Sequence, residues 1–136
     1  MVRVLVVDDY EPFRRYVCAT LKRNLHFWVI AEVSDGIEAV REAEVLQPDL
    51  ILLDIGLPGV DGIEAARRIR RLSPDSKILF VSQESSSDMI EAALSIGALG
   101  YVIKAHAATE LLAAVETVYG GGQYVSNGND YRATQQ

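Results

Sequence analysis

The stretch Leu50-Ile51-Leu52-Leu53-Asp54-Ile55-Gly56-Leu57-Pro58-Gly59 decides the fold. Four consecutive apolar residues without alternation suit a strand covered on both faces, as in the middle of a parallel sheet. The run stops on a carboxylate, and the Gly and Pro behind Asp54 force a turn. Its side chain is therefore expected in the crevice outside the carboxyl ends of the strands, where open α/β sheets bind ligands. The N-terminal Arg3-Val4-Leu5-Val6-Val7 repeats this pattern and ends on Asp8-Asp9. Two strands thus deliver acids to one edge.

Phe27-Trp28-Val29-Ile30-Ala31-Glu32-Val33 is β-branched and aromatic and closes on Ser34-Asp35-Gly36. Lys77-Ile78-Leu79-Phe80-Val81-Ser82 and Gly100-Tyr101-Val102-Ile103 complete a set of five predicted strands, with Ser82 and Lys104 at the ends of the last two. Helical spacing fills the intervals. Phe13, Val17, Leu21 and Leu25 step by fours behind Pro12, and Met89, Ala92, Ala93 and Ile96 lead to Gly97. Leu111, Leu112, Val115, Val118 and Tyr119 lead to Gly120-Gly121-Gly122. The other two helices are an internal repeat. Asp35-Gly36-Ile37-Glu38-Ala39 recurs as Asp61-Gly62-Ile63-Glu64-Ala65, and each copy reaches a Pro-Asp pair, Pro48-Asp49 and Pro74-Asp75, at the same distance. Asp-x-x-Glu at each start reads as a capping box. Five strands alternating with five helices predict an α/β fold: a doubly wound five-stranded parallel sheet in the order 2-1-3-4-5 with helices on both faces. Strands one and three are then neighbours, and Asp8, Asp9, Asp54, Ser82 and Lys104 stand at one rim.

The chain has 136 residues, room for one domain, and 49% of them are hydrophobic. Residues 1–122 are expected to form that domain, with 123–136 a polar tail or the start of a linker. Thirteen basic against nineteen acidic residues leave a net charge of -6. Arg67, Arg68, Arg70 and Arg71 surround one helix and form no broad patch, so direct binding of nucleic acid is not expected. Cys18 has no internal partner and falls in a helix pattern, as a buried thiol in a reducing, cytoplasmic setting would. No apolar stretch approaches the ~20 residues of a membrane span.

Three carboxylates at one rim repel one another. At ~4 Å a like-charge pair costs ~1 kcal/mol in water and about 4 at an effective dielectric of 20. A divalent cation offsets that, and an all-oxygen donor set without His or Cys suits Mg²⁺ or Mn²⁺. One such Asp alone is ordinarily a turn cap; three acids, each following a buried strand, point to a site. A lysine and a hydroxyl at the same rim complete a place for a phosphoryl group, which Asp54 could accept as an acyl phosphate.

Residues 4–9, residues 54–62, Ser82 and Gly97-Ala98-Leu99-Gly100-Tyr101-Val102-Ile103-Lys104 resemble the receiver domain of two-component response regulators, a flavodoxin-like fold, over roughly residues 2–122. The wording is most similar to receivers that precede a helix-turn-helix output domain. The resemblance implies that Asp54 accepts a phosphoryl group from a sensor histidine kinase. It implies that Asp9, Asp54 and the Gly56 carbonyl hold Mg²⁺, with Asp8 acting through water. Lys104 would contact the phosphoryl group, and Ser82 and Tyr101 would form a switch pair, Tyr101 turning inward on phosphorylation. The fourth helix, fifth strand and fifth helix would then be the surface for an output domain, a partner protein or a phosphorylation-dependent homodimer. The chain would be no enzyme beyond taking up and losing its own phosphoryl group. Ala105 follows Lys104 where many receivers have proline, and Gln83 is bulky where most relatives are small, which is expected to slow access to Asp54. No output domain follows, so the chain is expected to be either a complete single-domain regulator or a truncated one. Two other classes compete. An aspartyl-phosphate phosphohydrolase wants Asp-x-Asp at the nucleophile, whereas Gly56 stands two residues after Asp54. A flavodoxin-like electron carrier needs a hydroxyl- and Gly-rich phosphate loop after the first strand, where Asp8-Asp9 would repel a phosphate.

Overall fold

The computed structural model describes residues 1–126. The elements run β1 (Val2–Val7), α1 (Glu11–Lys22), β2 (Phe27–Val33), α2 (Gly36–Leu46), β3 (Leu50–Leu53), α3 (Gly62–Leu72), β4 (Lys77–Ser82), α4 (Ser87–Ser95) and β5 (Gly100–Ile103). A 3₁₀ turn (Lys104–His106), α5 (Ala107–Tyr119) and β6 (Tyr124–Val125) follow. All neighbouring strands are parallel, in the order β2-β1-β3-β4-β5-β6.

The sheet therefore carries the expected 2-1-3-4-5 order and one strand more. The sixth falls in the stretch expected to be polar tail. Tyr124 donates its N–H to the Leu99 carbonyl and Ser126 to the Tyr101 carbonyl, so the chain turns back after the glycines and closes the β5 edge. A two-residue strand has too few positions to show a period, which is why the sequence hid it. The rest of the expected tail, 127–136, lies outside the described residues.

Parallel pairing explains the unalternating apolar runs. On one face Leu5, Val7, Ile51, Leu53, Ile78 and Phe80 pack beneath α2, α3 and α4, through Ala39, Ala43, Ala66, Ile69, Ile90 and Ala93. On the other, Val4, Val6, Leu50, Leu52, Leu79 and Val81 meet α1 and α5 through Val17, Leu21, Leu111, Val115 and Val118. Cys18 is buried on this second face, and burial pushes its thiol up to about 11, which leaves it an unreactive core group.

The internal repeat has a packing reason. Asp35 and Asp61 cap α2 and α3, their carboxylates accepting from the Glu38 and Glu64 N–H groups. The glycine after each cap sits where backbone comes close: a Cβ on Gly36 would stand 1.8 Å from the Val60 carbonyl oxygen, and one on Gly62 would stand 2.0 Å from the Asp54 carbonyl oxygen. Asp-Gly is thus written twice because each helix starts pressed against a loop or strand end. One periodic position misled: Leu25 lies beyond the end of α1 and is 88% exposed.

Candidate functional site

The β1–β3 pairing aligns Val7 with Leu53, so the residues that follow, Asp8 and Asp54, leave the sheet side by side. The β4–β5 pairing sets Ser82 opposite Ile103, which places Lys104 next at the same rim. Asp54, Ser82 and Lys104 open on a crevice of about 680 Å³ whose lining also includes Asp9, Gly56 and Gln83. Asp8 and Asp54 are buried and Asp9 is exposed; one carboxylate oxygen from each lies within 4.8 Å of the others.

Lys104 ties together two of the three acids, Asp8 and Asp54. Its ammonium donates to Asp8 Oδ2 at 2.8 Å and to Asp54 Oδ2 at 3.2 Å. The remaining oxygens are engaged by backbone: Asp54 Oδ1 accepts from the Ile55 N–H at 2.8 Å and Asp8 Oδ1 from the Tyr10 N–H at 2.9 Å. Burial raises the Asp54 pKa above the ordinary aspartate value, the Asp8 charge adds to the rise, and the Lys104 charge opposes both. Burial pulls the Lys104 ammonium the other way, but the hydrogen bond to Asp8 and the charges of Asp54 and Asp8 outweigh it and leave its pKa raised. Lysine stays charged here at any physiological pH.

The raised Asp54 value has a consequence for stability. Protonated Asp54 favours the fold; that contribution is fully present below the ordinary value of 3.8 and is lost as pH rises through the higher folded value. Without divalent cation, Asp54→Asn is therefore expected to be more stable than the parent at pH 7, and to lose that advantage as pH falls toward 3.8. Urea unfolding of both proteins across that range checks it; an Asn variant less stable at pH 7 would mean that the Lys104 pairing outweighs desolvation.

Ser82 and Tyr101 meet through Glu84. The Ser82 hydroxyl oxygen accepts from the Glu84 N–H at 3.3 Å, and the Tyr101 hydroxyl donates to the Glu84 carbonyl at 2.7 Å. Tyr101 is fully buried, its ring 6.2 Å from that of Phe80, and burial pushes its phenol up to about 12. The sequence expectation had this ring turning inward on phosphorylation; here it is already inside. The loop carbonyl that receives its hydroxyl is a backbone group, which no side-chain pattern announces.

Three residues at the crevice carried no site signal in the sequence. Tyr10 and Met89 line it, and so does Phe13, whose ring centroid is 4.7 Å from the Lys104 ammonium. Phe13 sits on the apolar stripe of α1 and reads as core; its place four residues after Asp9 was the available clue.

The donor set fits a hard divalent cation. It is made only of oxygens, and it holds the one cluster of three or more potential metal-ligating side chains found among the described residues. Among those residues no helix is long and apolar enough to cross a membrane.

The comparisons agree with this arrangement. The family model for the response regulator receiver domain matches residues 4–116. The chain is 39% identical over 121 residues to the transcriptional regulatory protein LiaR of Bacillus subtilis, covering 89% of this chain and 57% of the relative. It is 36% identical over 124 residues to the transcriptional regulatory protein DegU of Brevibacillus brevis, covering 91% and 52%. The chain thus spans little more than half the length of these relatives. Among solved structures, a two-component response regulator of the LuxR family from Aurantimonas sp. SI85-9A1 superimposes with a TM-score of 0.89 at 32% identity, over 98% of this chain and 94% of that one. The response regulator domain of Thermotoga maritima CheB gives 0.82 at 30% identity, over 88% and 97%. With the acid cluster, the lysine and the 2-1-3-4-5 strand order in place, the chain belongs to the response regulator receiver domain family.

Proposed function

We propose that the chain is a phosphorylation-controlled switch in which Asp54 accepts a phosphoryl group from a histidine of a sensor kinase. The observation that carries this is the placement of the Lys104 ammonium against Asp54 in the lining of a crevice, beside two further carboxylates. An Asp54 carboxylate oxygen attacks phosphorus, the P–N bond of the donor breaks, and its electron pair returns to the imidazole, which takes a proton from solvent. The Ile55 N–H holds one Asp54 oxygen and so orients the carboxylate. Lys104 neutralises charge on the phosphoryl oxygens and Ser82 offers them its hydroxyl. Asp9, Asp54 and the Gly56 carbonyl would hold Mg²⁺ or Mn²⁺, with Asp8, which is not among the residues lining the crevice, acting through water. A bound divalent cation supplies charge neutralisation for the incoming phosphoryl group. Loss of the phosphoryl group to water completes the cycle, and the chain has no other chemistry. Gly56, two residues past Asp54, cannot serve as the general acid of a phosphohydrolase.

Mg²⁺ at a hundred times its dissociation constant is expected to stabilise the parent by about 2.7 kcal/mol. Asp9→Asn should lose most of that gain. Thermal melts with and without Mg²⁺ read it directly, and an equal gain in both proteins would remove Asp9 from the ligand set.

The output is proposed to leave through α4, β5 and α5, toward an output domain, a partner protein or a second copy of the chain. The similar proteins named as transcriptional regulators and the LuxR-family relative favour a helix-turn-helix output in a cytoplasmic setting. The chain itself, at net charge -6, is not the DNA-binding part. Because Tyr101 is already inside, the phosphoryl group is proposed to tighten an existing arrangement: drawing the Ser82 hydroxyl toward it pulls on Glu84, and Glu84 holds Tyr101. Amide exchange with and without beryllofluoride, a phosphoryl mimic, is expected to show added protection between Gln83 and Tyr101. Protection confined to residues beside Asp54 would leave a phosphate pocket with no switch.

A further inference from the structure

Lys104 is a long, flexible side chain at the start of a 3₁₀ turn, and its ammonium has three neighbours: Asp8 at 2.8 Å, Asp54 at 3.2 Å and the Phe13 ring, 4.7 Å from its centroid. We propose that Phe13 is a positioning residue for Lys104, its ring face holding the ammonium beside Asp54 while the carboxylates change partners. This rests on the reading of Asp54 as phosphoacceptor. The two ion pairs cannot do this task through the whole reaction. Phosphoryl transfer turns the Asp54 carboxylate into an acyl phosphate and takes its charge away from the carboxyl oxygens. Asp8 belongs to the cluster suited to a cation, where its charge is shared. The negative face of an aromatic ring attracts an ammonium electrostatically and is altered by neither event.

The ring is well placed to stay put. Phe13 lies in the first turn of α1 behind Pro12 and packs, half-buried, against the core cluster that includes Val17 and Leu21. Its ring also meets that of Tyr16, with centroids 5.7 Å apart and planes tilted by 40°. Phe13 lines the crevice together with Lys104, whose side chain is only 17% exposed. With the ring gone, an ammonium released by Asp8 has open solvent as its alternative to the phosphoryl group.

A purely packing role needs the ring's volume; the proposed role needs its π-electrons as well. The test uses the full 136-residue chain with Phe13 replaced by phenylalanines carrying increasing numbers of ring fluorines, which keep the shape and withdraw the negative face, and with Phe13→Leu and Phe13→Trp. The rate of phosphoryl uptake from acetyl phosphate at saturating Mg²⁺ is followed by intact mass. In parallel, the Lys104 Cε proton shifts are read by NMR. The rate is expected to fall stepwise along the fluorine series to about 3- to 10-fold below the parent, to fall as far in Phe13→Leu, and to persist in Phe13→Trp. The Lys104 Cε protons should be shifted upfield by the ring in the parent and lose that shift in Phe13→Leu. A flat rate across the fluorine series with normal labelling of the parent would overturn the role of Phe13 and leave Asp54 as phosphoacceptor. An unlabelled parent would overturn both.

Discussion

Asp54→Asn should take up no phosphoryl group from acetyl phosphate or from a sensor kinase, under conditions in which the parent chain is labelled with one. Of the three acids at the rim, Asp54 is the one whose carboxylate is held by a backbone N–H and by the Lys104 ammonium at once while also lining the crevice. Asp8 has the same two kinds of partner but is not among the residues that line the crevice, and Asp9 is exposed without the lysine contact that Asp8 and Asp54 share. An amide in place of the carboxylate is a far poorer nucleophile and carries no charge to pair with Lys104, so the loss should be complete rather than graded. Asp8→Asn and Asp9→Asn are expected to slow labelling and not to abolish it. Undiminished labelling of Asp54→Asn, read by intact mass, would move the phosphoacceptor elsewhere.

The second large effect is on the fold. Gly62→Ala is expected to destabilise the protein by about 3 kcal/mol, a fall in melting temperature of about 10 °C. The added Cβ would meet the Asp54 carbonyl oxygen at 2.0 Å and the Ile55 Cα at 2.6 Å, and both belong to the backbone that carries the phosphoacceptor. Gly62 also donates its N–H to the Ile55 carbonyl at 2.7 Å, so α3 cannot back away without breaking that bond. Relief must come from the end of β3, and labelling of Asp54 should fall with stability. Gly56→Ala is the control: a Cβ there meets nothing within 4 Å, its backbone carbonyl is kept, and its stability should stay within about 0.5 kcal/mol of the parent. Calorimetric melts of the two variants separate a packing constraint from a general intolerance of the loop. Equal stability of Gly62→Ala and the parent would mean that α3 has room the structure does not give it.

The parts of this molecule that sequence made legible are those fixed by burial on two faces. Leu50, Ile51, Leu52 and Leu53 are all buried, two packing on each side of the sheet, so an unalternating run could only be a central strand. Once β1 and β3 are neighbours, the register carries Asp8 and Asp54 to the same place, and the site follows from topology. What stayed hidden depends on single contacts. Leu25 kept the helical period after α1 had ended, because the turn that follows is stabilised by Asn24, whose side-chain oxygen accepts from the His26 N–H at 2.9 Å. Strand β6 is two residues long. Its end is held by Ser126, fully buried, whose hydroxyl donates to Glu110 on α5 and lies 3.3 Å from the His106 ring nitrogen. No period reports such a tie. Tyr101 is inside because a backbone carbonyl, that of Glu84, accepts its hydroxyl.

The most direct measurement of the central claim is to incubate the chain with acetyl phosphate and Mg²⁺, reduce the acyl phosphate with borohydride, and locate the reduced residue by tandem mass spectrometry. One phosphoryl group per chain is expected, dependent on Mg²⁺, with reduction found at position 54 alone. Reduction at Asp8, Asp9 or an acid outside the crevice, or no phosphoryl uptake at all, would contradict it.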